Sequence, residues 1–240
     1  MNLAGFLSRR LVVRLPCLSL VSLAALAVCG CATVAGSGSI TLVRVIDASS
    51  NAGALDAYVS STPIAVNVIG PSIGNYAFLP PGEAIVDIEP TGKRTVLAQM
   101  NGTFSVNQQH SVYITDQGTS FQANLLTDQN TPAPAGFVSI RFLQQASSTG
   151  AVDIYFIPDG TKIADVKPVL SSLPPGTITA YLDIPTGTYD LAIAAAGTTT
   201  GAYTSAATSY TTGQVRTMLI VDQQLLNAPP VNVLIADDLN

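Results

Sequence analysis

Few side chains in this chain are typed and spaced for chemistry. Arg44 stands 12 positions before Asp56, and Arg141 stands 12 positions before Asp153. Each Arg lies in an apolar run, each Asp in an apolar-Asp-x-Tyr-apolar run, and an Ala-Ser-Ser loop lies between. An Arg and an Asp brought together could hold a register or build a small polar site. His110 is the only histidine. A Ser-His-Asp arrangement needs a nucleophile beside the imidazole, and nothing in the pattern places one, so His110 reads as a surface or strand-end residue. Asp128 and the pair Asp237-Asp238 are acidic strand ends where calcium is conceivable. No spaced carboxylate loop of the EF-hand type accompanies them. There is no Cys/His set for zinc, no phosphate-binding glycine loop and no dinucleotide fingerprint. No catalytic residue, metal ligand or cofactor is assigned.

The three cysteines, Cys17, Cys29 and Cys31, lie at the N-terminus. Arg9, Arg10 and Arg14 precede an uncharged run of 14 residues, Leu15 to Val28. That is the length of a signal-peptide core and too short for the roughly 20 residues of a membrane-spanning helix. Small residues and a thiol follow in Val28-Cys29-Gly30-Cys31. The pattern resembles the lipobox of bacterial lipoproteins, in which the Cys becomes the lipidated N-terminus. Cys31, after the small Gly30, fits better than Cys29, which follows Val28. The resemblance implies an exported chain anchored to the membrane through its N-terminal lipid. With Ala32 rather than Asp after the thiol, it implies the outer membrane.

Charged residues are only 10% of the chain, against about 25% in ordinary globular proteins. From residue 31 onward 7 basic side chains face 15 acidic ones. That excludes the basic footprint a nucleic-acid partner requires.

The elements that must position these residues come twice. Val43-Arg44-Val45 matches Ile140-Arg141-Phe142, and Leu55 to Val59 matches Val152 to Phe156. Tyr76 to Gly82 matches Tyr181 to Gly187, and Ser111 to Gln117 matches Thr217 to Gln223. Four blocks in one order mark a duplication. The expected organisation is a signal peptide over 1–30, a short tether over 31–39, a first module over 40–128, a Pro-rich linker over 129–136 and a second module over 137–240. Short alternating runs, punctuated by Gly and Pro every 8–12 residues, predict strands. Pro80-Pro81-Gly82 and Pro185-Thr186-Gly187 lead into strands; Ala192 to Ala196 reads as strand then loop. The fold class is all-β: two tandem immunoglobulin-like β-sandwich modules in general architecture, without the Trp and Cys pair of a true immunoglobulin core.

The two-residue strand period places Val43 and Val45 inward and Arg44 outward, and Leu55, Ala57 and Val59 inward with Asp56 and Tyr58 outward. If the two strands form a hairpin, Arg44 meets Asp56 and Arg141 meets Asp153 on its outer face. The expectation is two structural charge pairs that pin the register.

These blocks resemble the domain of unknown function 4397 family, whose opening is close to V-R-V-x-H-A-S-P-D-A-P-x-V-D-V-Y-V. Ile184-Pro185-Thr186-Gly187-Thr188-Tyr189 is similar to its L-P-A-G-T-Y step. Asp47 and Gln145 stand where the family has His before Ala-Ser. The resemblance covers two tandem copies and implies exported, β-rich envelope domains without an assigned activity. The function expected is a non-catalytic structural or binding role in the cell envelope, with a protein or glycan ligand. The alternative is an envelope enzyme, such as a carbohydrate hydrolase using two carboxylates. The loops between the paired runs, where the copies differ most, are the place to look for specificity.

Overall fold

The computed structural model describes residues 39–116, 120–223, 225 and 230–239. The leader and both candidate lipid sites, Cys29 and Cys31, lie outside the described residues. Apart from one short 3-10 turn at Ile163–Asp165, the described regular elements are strands.

The first half contributes β1 (Thr41–Asp47), β2 (Ala54–Val59), β3 (Thr62–Ile69), β4 (Ser72–Ile73), β5 (Ala77–Leu79), β6 (Gly82–Pro90), β7 (Ala98–Phe104), β8 (Gln109–Thr115) and β9 (Gln122–Asp128). One sheet holds β1 between β8 and the short β4 and β5, with β9 beyond β8; the other runs β3-β2-β6-β7. β1 is parallel to β8, while the other pairings are antiparallel.

The second half contributes β10 (Phe137–Gln144), β11 (Val152–Pro158), β12 (Leu170–Leu173), β13 (Leu182–Pro185), β14 (Gly187–Ala195), β15 (Gly201–Thr204), β16 (Thr208–Tyr210), β17 (Val215–Asp222) and β18 (Val231–Asp237). Its sheets run β13-β10-β17-β18 and β12-β11-β14-β15, with β16 also on β14. β10 is parallel to β17, as β1 is to β8. A single bridge, Leu143 to Ile178, stands where β1 pairs with β4 through Ile46 and Ile73. The topology therefore repeats strand for strand.

Alternation builds the two cores. Val43, Val45, Leu55, Ala57, Val59, Val86, Ile88, Val112 and Ile114 fill the first. Ile140, Phe142, Val152, Ile154, Phe156, Leu191, Ile193, Met218 and Ile220 fill the second. A third cluster forms from the opposite faces of β1, β8, β10 and β17, where Ile46, Ala48, Tyr113, Leu143, Leu219 and Val221 pack together. The two sheets bearing β1 and β10 are thus inner sheets, packed on each other, and the sheets bearing β2 and β11 are outer ones. Burial on both faces explains why β8 is buried at every position and why Met218 to Val221 carries no polar residue. Each large aliphatic side chain buried this way contributes about 1.5–3 kcal/mol, so the join is a core in its own right.

The hairpin expected from the sequence does not form. β1 lies in the inner sheet and β2 in the outer one, so the chain crosses the sandwich between them. Arg44 and Asp56 both point away from the core, as the parity required, but on opposite sides of it. The same holds for Arg141 on β10 and Asp153 on β11.

The outer sheets differ in one respect. On the second, Tyr155, Ile157, Ala192 and Ala194 are buried beneath Ile163 and Val166 of the 3-10 turn region. On the first, Tyr58 faces Asp87 across β2 and β6, where the second has Tyr155 facing Ala192.

Candidate functional site

Arg44 and Arg141 are 1% and 3% exposed because the inner sheets close over them. Arg44 donates from Nη2 to Asp238 Oδ1 at 2.5 Å and to Thr217 Oγ1 at 3.3 Å. Its Nε donates to Ser111 Oγ at 2.8 Å and lies 3.8 Å from Asp128 Oδ2. Arg141 donates from Nη2 to Asp128 Oδ1 at 2.6 Å and to Thr217 Oγ1 at 2.9 Å. Each Arg therefore reaches the strand-end acid of the other half of the chain. Each acid is also held by its own half: Asp128 by Ser111 at 2.6 Å and Tyr76 at 2.7 Å, and Asp238 by Thr217 and Tyr181, both at 2.7 Å. The guanidinium of Arg44 sits 4.7 Å over the Tyr76 ring, and that of Arg141 sits 4.9 Å over the Tyr181 ring.

Two arginines and two aspartates balance, which is the condition for burying charge at all. Burial works against the Arg44 charge, but Asp238 and then Asp128 more than offset it, and its pKa stands above the ordinary value. Burial pushes both phenols up, and the carboxylates beside them add to the effect. Asp128 and Asp238 each accept three hydrogen bonds from arginines, hydroxyls and phenols, and they are 2% and 0% exposed. Asp128 and Asp238 converge, but inside an interface rather than on an open cleft. Among the described residues no group of three His, Cys, Asp or Glu side chains is placed to hold a metal.

The repeated Asp has a different role from the one its spacing implied. Asp56 accepts from the Asn67 amide at 2.8 Å, the Thr91 hydroxyl at 2.7 Å and the Gly92 amide at 3.4 Å. Asp153 accepts from the amides of Ser172 at 2.7 Å and Gly197 at 2.8 Å. Asn67, Ser172, Gly92 and Gly197 all have positive φ, at 55°, 51°, 74° and 76°, and the β2–β3 and β11–β12 registers shift at these carboxylates. Each Asp anchors a bulge and a turn of its outer sheet. The Asn67 amide is the main cause of the lowered pKa of Asp56.

His110 is the second residue of β8, near the strand end as expected, but it is buried, 2% exposed, and edge-on to Phe104. Its Nε2 accepts from the Ser105 amide at 3.2 Å, and burial is the main cause of its lowered pKa. No nucleophilic side chain joins this contact.

The two Ala-Ser-Ser loops have a common destination. Because β1 is parallel to β8, the loop after β1 emerges beside the residue after β8. Asp116 Oδ2 there accepts from the amides of Ser50 and Asn51, both at 2.8 Å, and from their side chains at 3.1 and 3.2 Å. In the second half Asp222 accepts from the amides of Ser148 at 2.7 Å and Thr149 at 3.1 Å and from the Thr149 hydroxyl at 3.1 Å. The two loops face each other across a groove of about 600 Å³ that also holds Pro71, Gln145 and Val221. Tyr113 of the first half donates to Gln145 Oε1 at 3.0 Å beneath it.

The position ahead of each loop needs one revision. Asp47 Oδ1 accepts from the Ser49 amide at 2.9 Å, and Gln144 Oε1 accepts from the Ala146 amide at 2.6 Å. Gln144, not Gln145, is the working counterpart of Asp47. Asp47 Oδ2 and the Ser49 hydroxyl are buried without a hydrogen bond of good geometry. Burial raises the Asp47 pKa, although the neighbouring Ser49 draws it partly back.

Sequence reasoning missed Asp128 and Asp238 as partners of the arginines, and Asp116 and Asp222 as loop anchors. The signal was present for three of the pairs: Tyr76 and Tyr181, Ser111 and Thr217, and Asp116 and Asp222 all occupy matching places in the repeated blocks.

No curated protein matches this chain. Among solved structures, one of the α-glucan-recognising family 41 carbohydrate-binding modules from streptococcal virulence factors is 14% identical, covering 80% of this chain and 96% of its own, with a TM-score of 0.26. A family 26 carbohydrate-binding module of Eubacterium rectale, solved with maltoheptaose, is 7% identical, covering 84% of this chain and 98% of its own, with a TM-score of 0.23. Likeness this slight carries no conclusion about ligand. Residues 41–155, from the start of β1 to the middle of β11, match the family described as domain of unknown function (DUF4397).

Proposed function

We propose that this chain is a non-catalytic lipoprotein of the bacterial cell envelope, probed by its partners as one rigid platform. The observation that carries this reading is the reciprocal charge cluster. It holds Arg44, Arg141, Asp128 and Asp238 inside the join rather than on an open cleft, and it supports the two Ala-Ser-Ser loops facing each other at one end. Residues 137–237 serve as a second copy of the family's domain, a reading supported by the strand-for-strand repeat of topology. Cys31 carries the lipid and tethers the platform to the outer membrane, with Cys29 as the alternative.

Two experiments test this. Labelling cells with an alkyne fatty acid marks the wild-type chain, and Cys31→Ala abolishes the label; full labelling in that variant refutes Cys31 and moves the anchor to Cys29, whereas no label on the wild-type chain refutes the anchor. The purified chain, incubated with envelope polysaccharide, retains polymer on sedimentation and releases no reducing ends. Steady, protein-dependent release of reducing ends would establish the hydrolase instead.

A further inference from the structure

We infer that the groove between the two Ala-Ser-Ser loops binds a neutral, hydroxyl-rich carbohydrate segment. This rests on the binding role proposed above and names the site and the ligand class. The groove, at about 600 Å³, has the size of a ligand pocket, roughly 300–1,000 Å³. Among the described residues the only charges on its walls are Asp116 and Asp222, and no Lys, Arg or His lines it. An anionic polymer, a phosphate or a nucleic acid meets like charge there. No aromatic ring among the described residues lines it either, so they offer no stacking surface for a base or an apolar ring.

Hydroxyls and amides line the remainder, and Asp116 and Ser147 have acceptor or donor capacity to spare. All four bonds to Asp116 go to Oδ2, which leaves Oδ1 as an acceptor for the groove. Ser147 is exposed on the wall and presents its hydroxyl there. A ligand alcohol both donates and accepts, so it satisfies a carboxylate oxygen and a serine hydroxyl at once. A peptide is disfavoured: β1, β8, β10 and β17 are interior strands, so the groove offers no free ladder edge for strand addition. The cluster below supplies rigidity, since the walls come from different halves of the chain and a hinge there would destroy the site.

The test is titration calorimetry on the full chain in detergent with hexaoses of glucose, mannose and N-acetylglucosamine, and with polygalacturonate and hexalysine for comparison. At least one neutral hexaose binds, one per chain. Ser147→Trp, and separately Asn51→Trp, weaken that binding at least tenfold, with unchanged circular dichroism confirming the fold. Thr103→Trp, on the exposed face of β7, leaves it unchanged. Loss with Thr103→Trp but not with the groove variants overturns the site while leaving the binding platform standing. Binding of polygalacturonate or hexalysine in preference to every hexaose overturns the ligand class. Binding of none of the probes overturns the inference, whereas the proposed function fails separately, on the reducing-end and labelling results.

Discussion

Replacing Arg44 by Leu removes the one cation among the described residues within ion-pair reach of Asp238. Asp238 is 0% exposed and would keep only the Thr217 and Tyr181 hydroxyls as donors. Neutral hydrogen bonds contribute about 0.5–1.5 kcal/mol each, too little to hold a buried carboxylate. Breaking a buried pair from one side costs about 3–5 kcal/mol, and Arg44→Leu should fall in that range. Arg141→Leu should cost less, because Asp128 would still have Arg44 Nε at 3.8 Å. A charge at that distance is worth roughly 4 kcal/mol at an effective dielectric near 20, before desolvation is counted. The assay is equilibrium unfolding in urea, followed by tyrosine fluorescence, since the chain has 8 Tyr and no Trp. A double-mutant cycle with Asp238→Ala should return a coupling of about 2 kcal/mol or more, within the range seen for contacting residues. The same cycle between Arg44 and Asp56 should return about zero, within the usual additivity error of about 0.5 kcal/mol. Equal couplings in the two cycles, or a loss below about 1 kcal/mol for Arg44→Leu, would refute the reciprocal pairing.

Three further outcomes are expected. The Asp56 pKa is lowered in the fold, so its contribution is present above the unfolded value of 3.8 and is lost as pH falls through the lower folded value; Asp56→Asn should therefore destabilise at neutral pH, with the difference from wild type closing in acid unfolding series. Asp47 has the opposite sign: its raised pKa gives stability below 3.8 that is lost as pH rises through the folded value. Asp47→Asn keeps an Oδ1 acceptor for Ser49 and should raise the melting temperature at pH 7 but not at pH 3; no gain at pH 7 contradicts this. A Cβ at Gly70 would lie 2.5 Å from the Ser49 carbonyl oxygen and 2.9 Å from Asp47 Oδ2, so Gly70→Ala should cost about 1–3 kcal/mol, read as a lower urea midpoint at unchanged slope.

Much of the fold was legible because alternation is a local property. Val43 and Val45 against Arg44, and Leu55, Ala57 and Val59 against Asp56, sorted correctly into core and outer faces. Which strand pairs with which is not local. The short Ala-Ser-Ser connection looked like a hairpin turn, yet it crosses between sheets, because β1 finds β8, more than 60 residues away, as its parallel neighbour. Parity also says only that Arg44 leaves its own core, not that a second module waits outside. The apolar residues sharing that outward face, Ile46 on β1 and Tyr113 on β8, were the available sign that it is covered. Asn101-Gly102-Thr103 has turn-type residues but is mid-strand in β7, where a Cβ at Gly102 would stand 3.1–3.4 Å from Leu125 and Phe104, so these neighbours would have to give by a few tenths of an ångström.

The charge cluster has one more consequence, for assembly. Each half offers the other an Arg that reaches outward and an acid that receives, the acid being held by a phenol and a hydroxyl of its own half. Such a face is complementary to itself, as in the isologous interface of a two-fold dimer. The eight residues 129–136 turn what would be a concentration-dependent dimer into an intramolecular one, at an effective concentration in the range of about 1 mM set by a short connection. Dilution cannot separate the halves, and the groove they share exists in every folded copy of the chain.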